Sequence, residues 1–284
     1  MPASKRPATA RMLANTIGLI GSGRMATALA SGFVDAKLVK SSQLVASDPS
    51  AEARATFERD VPGARVVVDN AAVVSAADVI WLAVKPQKMS EALGEIRGVI
   101  RPAALVISIA AGVTIERIAA GLPAGQRIVR VMPNTPCLIG KGASAYSLGS
   151  SATKGDAELV GQLLSAVGAA FEVPEAQLDA VTGLSGSGPA FVYTMIEAMA
   201  AGGVAMGLPA ELAAELAART AAGAAEMVLA SGETPAVLRD RVTSPGGTTL
   251  AGLGVLGERG FSDAIVAAVT AATRRSEELG RGAK

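Results

Sequence analysis

Thr16-Ile17-Gly18-Leu19-Ile20-Gly21-Ser22-Gly23-Arg24-Met25-Ala26 is the stretch on which the fold turns. A short apolar run, Thr16–Ile20, ends in a GxGxxA loop that opens directly into a helical stretch, Met25–Asp35. In such a strand–turn–helix Gly21 permits the tight turn, and Gly23 lets backbone approach a pyrophosphate. Ala26 allows close helix–sheet packing, while the free N–H groups of the first helical turn and the positive end of its dipole face the phosphates. Gly21, Ser22, Gly23, Arg24, Met25 and Ala26 are therefore expected to hold a dinucleotide. A glycine-rich turn that binds nothing is the competing reading, and the flanking strand and helix weigh against it.

Beyond this unit the chain keeps alternating. Gln43–Ser47, Arg65–Val68, Val79–Val84, Leu105–Ile109, Ile128–Val131 and Ala143–Ser147 read as strands, with helical segments such as Pro49–Arg59, Ala71–Ala76 and Thr114–Ala120 between them. Near-continuous apolar strands alternating with helices predict a mostly parallel sheet covered on both faces. After about Val173 the strand signals stop. Glu175–Leu279 reads as Ala-rich helix, broken at Pro209, Gly232 and Ser244–Gly247. The expected organisation is an extension over 1–15 read as disordered, a Rossmann-type α/β dinucleotide-binding domain over 16–172, and an all-α substrate and dimerisation domain over 173–284.

Composition narrows the chemistry. The 284 residues carry 26 Lys+Arg against 25 Asp+Glu, so no basic field for nucleic acid or an anionic membrane is implied. One cysteine, Cys137, excludes an internal disulfide framework. Histidine is absent, which removes Ser-His-Asp and Cys-His nucleophile systems and any imidazole acid or base. Mean hydropathy is +0.40, yet Glu197 and Asp78 interrupt the longest apolar stretches below the length of a membrane span. A cytoplasmic chain whose Ala-rich helices bury against a second subunit is expected, because a helical half with so few aromatics makes a weak core alone.

Asp48 lies 22 residues beyond Ala26, at the end of the second strand. An acid there accepts from adenosine ribose hydroxyls and repels a 2′-phosphate, which favours NADH; a solvated turn residue before Pro49 is the other reading. Three loops follow strand C-termini, where open α/β sheets bind ligands: Ala83-Val84-Lys85-Pro86, Ser108–Gly112 and Met132-Pro133-Asn134-Thr135-Pro136. Lys85 is either a cation for the ligand or a solvated strand-end lysine. In the helical half, Leu184–Ala190 and Ser244-Pro245-Gly246-Gly247-Thr248-Thr249 each place small residues at a helix entrance, leaving unpaired N–H groups suited to a small carboxylate. The threonine hydroxyls either cap that helix or reach a ligand.

With these motifs in order, the chain resembles the pyrroline-5-carboxylate reductases from about Thr16 to Leu279. Leu238–Leu253, containing the Pro-Gly-Gly-Thr-Thr turn, looks like the family signature, and Asp179–Ala190, Ala83–Pro86 and Met132–Pro136 also match. The resemblance implies that the GxGxxA loop and Ala83–Pro86 hold NADPH or NADH, with Asn70 toward the adenosine and Ala111 toward the nicotinamide; Asn134, in a loop at a strand C-terminus, is also expected to contact the cofactor. It implies that Gly246, Gly247, Thr248 and Thr249 hold the substrate, with Thr249 the catalytic group. It further implies reduction of 1-pyrroline-5-carboxylate to L-proline by a homodimer with interlocked helical domains, sometimes assembled into a ring of dimers. Asp48 stands where NADPH-using relatives often carry a small polar residue, and Arg241 stands where some have an amide, adding a cation near the cofactor. Two rivals remain in view. A β-hydroxyacid dehydrogenase of the 6-phosphogluconate type would need a lysine in the helical half, and Val173–Gly280 contains none. A non-catalytic dinucleotide sensor would keep the cofactor loop and lose the Pro-Gly-Gly-Thr-Thr turn, which is complete here.

Overall fold

The structure, a computed structural model, describes residues 12–281. It divides into two compact units, one carrying the sheet (to Gly186, together with the segment from Ala272) and one of helices alone, Ser187–Ala271.

In the first unit β1 (Ile17–Ile20), β2 (Leu44–Ser47), β3 (Arg65–Val67), β4 (Val79–Leu82), β5 (Leu105–Ser108), β6 (Arg127–Met132), β7 (Gly142–Leu148) and β8 (Gly168–Glu172) form one sheet in the order β3-β2-β1-β4-β5-β6-β7-β8. All pairings are parallel except β6–β7. The strand order reverses between β1 and β4, and that switch point opens the crevice in which such sheets bind ligands. Helices α1 (Arg24–Asp35), α2 (Ala51–Asp60), α3 (Asn70–Ala76), α4 (Met89–Ile96), α5 (Ile115–Gly121), α6 (Lys154–Ser165) and α7 (Leu178–Val181) complete the unit.

Strands β1, β2, β4 and β5 are buried at every position, as their unbroken apolar runs require of a sheet covered on both sides. The strand period divides them between two cores. Val79 and Trp81 of β4 join Phe33, Phe57 and Leu163 on one face, while Ile80 and Leu82 join Met89, Ile96 and Ile118 on the other. Phe33 and Trp81 meet at 5.7 Å between ring centroids, tilted by 45°. Local signals start the helices: Ser50 caps α2, Asp69 α3, Thr114 α5, and Thr153 with Asp156 forms a capping box on α6.

Two features lie outside the sequence reading. Strand β8 has little β-branched or apolar signal, since Gly168-Ala169-Ala170-Phe171-Glu172 is held mainly by pairing with β7. The sheet unit also continues past Val173, because α7 and the π-type turn Thr182–Gly186 are tied to β6 and β7 by side-chain bonds described below. Of the segment 1–15 read as disordered, residues 1–11 lie outside the described residues. Its last residues are held: Leu13 N–H donates to Leu38 O, and Gln43 Nε2 donates to the carbonyls of Leu13 and Asn15.

The helical unit comprises α8 (Gly188–Ala205), α9 (Ala210–Ser231), α10 (Pro235–Arg241), α11 (Thr248–Glu258) and the first part of α12 (Phe261–Gly280). Breaks fall at Pro209, Gly232 and Ser244–Gly247 as read from the sequence, with a further one at Gly260. α8 and α9 form a hairpin whose crossing needs small residues: a Cβ on Gly203 would lie 3.2 Å from the Ala213 Cβ.

Candidate active site

The loop between β1 and α1 has the geometry its glycines imply. Gly21 sits at φ +95°, and a Cβ there would come within 2.8 Å of the Ala83 carbonyl. Only glycine fits both the turn and that approach across the switch point. At Gly23 a Cβ would meet nothing within 4 Å, so the loop is open on the side a ligand uses. The first intrahelical bond of α1 runs from Thr27 N–H to Gly23 O, which leaves the N–H groups of Arg24, Met25 and Ala26 ahead of it without a helical acceptor. The Ser22 hydroxyl is buried with no partner, a polar atom waiting at the same loop. These features fit a pyrophosphate.

Gly21, Gly23, Asp48, Asn70, Ala83, Val84 and Lys85 line one cleft of about 390 Å³. Lys85 is exposed and has no ionic partner among the described residues. Ser22 and Arg24 line an adjoining depression beside Ser50 at the start of α2. Asp48 is not idle in this arrangement. One carboxylate oxygen accepts from Ser22 N–H at 3.0 Å and the other from Ser50 N–H at 2.9 Å. It thus staples the glycine loop to the entrance of α2, and both oxygens are engaged before any ribose arrives. Arg54 adds to the same corner through Nη1, which donates to the carbonyls of Asp48 and Pro49.

Asn70 opens α3 at the cleft wall, accepting from the Ser47 hydroxyl and donating Nδ2 to Glu95 Oε2, each at 2.5 Å. Lys88, Glu91 and Glu95 are cleft residues that the sequence reading missed. The available signal was their spacing, since Glu91 and Glu95 stand four apart on α4 just after the Ala-Val-Lys-Pro loop. Lys88 pairs with Glu91 at 2.8 Å, and that hydrogen bond raises the pKa of its ammonium.

Other expected residues take different places. The Ala26 side chain is buried in the core and that of Met25 packs against it, so their part at the loop is through their backbone N–H groups alone. Pro86 begins a short 3-10 turn, and Ala111 sits half-buried in the turn after β5. Asn134 is nearly buried and committed: Oδ1 accepts from Ala143 N–H at 2.9 Å, and Nδ2 donates to the Ser185 carbonyl and hydroxyl at 3.2 Å. Ser185 in turn donates to the Ala143 carbonyl at 2.7 Å. This latch holds the π-type turn and accounts for one of the two serine–glycine pairs at the α8 entrance.

In the helical unit, Gly246 at φ +72° and Gly247 make the turn into α11. A Cβ on Gly247 would lie 2.5 Å from the Ser244 hydroxyl and 3.1 Å from its carbonyl oxygen, so the second glycine lets the turn close tightly on Ser244. Gly247 is itself the N-cap, with no side-chain cap, which removes the capping role considered for the threonines. The first intrahelical bond runs from Ala251 N–H to Gly247 O. Ahead of it the N–H groups of Thr248, Thr249 and Leu250 have no helical acceptor, and neither threonine hydroxyl makes a hydrogen bond among the described residues. An exposed turn with this many free donors suits a small carboxylate.

Comparison with known proteins agrees with both halves. Residues 175–279 match a family model described as pyrroline-5-carboxylate reductase dimerisation, and 16–112 one described as NADP oxidoreductase coenzyme F420-dependent. A pyrroline-5-carboxylate reductase of Methanosarcina acetivorans is 45% identical, covering 93% of this chain and 98% of the relative. That of Pisum sativum is 43% identical, covering 93% and 96%. The chain belongs to the pyrroline-5-carboxylate reductase family. Among solved structures, the Plasmodium falciparum pyrroline carboxylate reductase with NADP bound superposes with a TM-score of 0.87 at 32% identity, covering 95% of this chain and all of that one. The pyrroline-5-carboxylate reductase of Coxiella burnetii gives 0.86 at 33% identity, covering 94% and 99%.

Within the pyrroline-5-carboxylate reductase family, one expected departure gains a partner. Arg241 is not a free cation: both terminal nitrogens are held by the Glu233 carboxylate at 2.6 Å. No helix among the described residues is long and apolar enough to cross a membrane.

Proposed function

We propose that this protein reduces 1-pyrroline-5-carboxylate to L-proline with NAD(P)H, the last step of proline biosynthesis, and works as a homodimer. The observation that carries the reading is the Pro-Gly-Gly-Thr-Thr turn, with three helix-entry N–H groups and two threonine hydroxyls unpartnered beside each other. A reduced nicotinamide, when bound, supplies the hydride to C5 of the cyclic imine.

The chain's own residues then have limited work. The glycine loop and Ala83–Lys85 bind the dinucleotide, with Asn70 at the adenosine side and Ala111 at the nicotinamide side. The N–H groups of Thr248 and Thr249 bind the substrate carboxylate. The Thr249 hydroxyl is hydrogen-bonded to the ring nitrogen, which keeps its proton as the C=N bond becomes a single bond. A protonated imine is already a good hydride acceptor, so orientation and complementary charge suffice. The lack of histidine is consistent with this chemistry. The homodimer is supported by the apolar side chains exposed along α8, α9 and α11, and a ring of such dimers is the further assembly the resemblance implies.

The test is oxidation of NADPH and of NADH by the purified protein, with pyrroline-5-carboxylate against a panel of keto acids and six-membered cyclic imines. Turnover concentrated on pyrroline-5-carboxylate, with proline as product, is expected. Absence of turnover with both cofactors, or equal rates on the keto acids, overturns the reading.

A further inference from the structure

The turn after β5 is held by more than the sheet. Gly112, at φ +72°, is in backbone contact with the last turn of α12: a Cβ there would lie 2.9 Å from the Leu279 Cβ and 3.0 Å from the Ser276 carbonyl. A few residues further on, Ile115 N–H donates to Glu175 Oε1 at 2.7 Å. Both attachments lead to one buried group. Arg130 on β6, with its side chain only 4% exposed, lies 3.3 Å from that same Glu175 oxygen and 3.0 Å from Asp179 Oδ1. Asp179 Oδ1 also accepts from the Ser276 hydroxyl at 2.7 Å, and Ser276 is itself buried. The circuit is closed: Gly112 to α12, Ser276 to Asp179, Asp179 to Arg130, Arg130 to Glu175, and Glu175 back to Ile115.

A buried arginine between two carboxylates is weak evidence for stability, since desolvation offsets most of the attraction and apolar side chains of similar volume often do as well. What the bonds of this cluster do supply is attachment: they tie the chain on both sides of residues 112–115 to β6, α7 and α12. The stretch so held follows immediately after Ala111.

We propose that Ser276 and Asp179 are positioning residues for the nicotinamide end of the dinucleotide site, acting through the Ala111–Gly112 turn; this rests on the reading that Ala111 lies beside the nicotinamide. Neither residue touches the cofactor. Their effect is to keep the turn from backing away when the ring is pressed against it.

The experiment compares two ligands on wild-type protein, Ser276→Ala and Gly112→Ala. One is NADPH, read through its nicotinamide fluorescence. The other is 2′-phospho-ADP-ribose, read by calorimetry, which keeps the adenosine and pyrophosphate and lacks the nicotinamide. Ser276→Ala removes one hydrogen bond from an aspartate still paired with Arg130, so the fold persists. It is expected to weaken NADPH about fivefold and leave the fragment unchanged. Gly112→Ala is expected to shift NADPH in the same direction by more, because it pushes the turn off α12 directly. Parallel weakening of both ligands, or no change in either with only a lowered Tm, overturns the proposal. No imine is present in these measurements. A protein that binds NADPH yet reduces no pyrroline-5-carboxylate therefore counts against the proposed function and leaves this inference standing.

Discussion

The two units are built from the same Ala- and Gly-rich chain and finish in different conditions. The sheet unit buries Trp81, Phe33 and Phe57 completely and divides its strands between two apolar faces. The helical unit buries only Ala213 and Ala217 among its apolar residues through Ala271, and leaves Met206 84% and Leu229 79% exposed. α8 has eighteen residues, most of them apolar, and none is buried. A helix that is apolar on all sides is stable in water only inside something. The difference teaches that the sheet unit is a fold in its own right, whereas the helical unit is half of one. This is what a module matched to a dimerisation family should look like as a single chain.

The comparison can be broken most sharply at the Arg130 cluster. Arg130→Met leaves the Glu175 and Asp179 carboxylates without their cation and is expected to destabilise the sheet unit by about 3–5 kcal/mol in chemical denaturation. Arg219→Ala, which removes an exposed pair with Glu215 on α9, should change stability by less than about 0.5 kcal/mol. Similar losses in both variants would mean that the sheet unit is not held by its interior. On the helical side, Thr249→Ala should lower kcat/KM on the order of 10²-fold while NADPH affinity stays at the wild-type value. Unchanged kinetics would remove Thr249 from the site. Leu212→Glu with Leu216→Glu, one turn apart on an exposed face of α9, should weaken the dimer by about tenfold or more in sedimentation equilibrium. A persistent dimer would locate the interface on another face. Apart from the Arg219 control, the smallest effect belongs to the glycine loop. Asp48→Asn keeps one strong acceptor and loses the other, so the dinucleotide-free protein should lose about 1 kcal/mol. An unchanged Tm would show that the staple is dispensable.

Much of this is legible in the amino-acid sequence. The seven strands read from the sequence are present within a residue or two at their ends, and β1, β2, β4 and β5 are the clearest, because fully buried parallel strands have to be written as apolar runs. The glycine loop and the Pro-Gly-Gly-Thr-Thr turn were legible for a similar reason: each demands residue types that nothing else in the chain demands. What escaped was tertiary. Strand β8 exists through its partner β7, and Ala169 and Ala170 carry no sign of it. Asp48 and Asn134 were read as ligand contacts from their positions at strand ends. Only the fold shows that Asp48 spans two backbone N–H groups and that Asn134 latches Ser185. A sequence gives a polar residue's address and not its hydrogen-bond partners. The Arg130 cluster was invisible for the same reason, its members lying 45 and 49 positions apart along the chain.

One consequence of α12 concerns the order in which the protein is made. The sheet unit is emitted first, but its closing segment, from Ala272, follows only after the whole of Ser187–Ala271 has been synthesised. At about 5–20 residues per second, the nascent sheet waits several seconds with the Gly112 turn bare and one Asp179 oxygen missing its serine. The dinucleotide fold therefore gains its last fastening only after the helices of Ser187–Ala271 are already out.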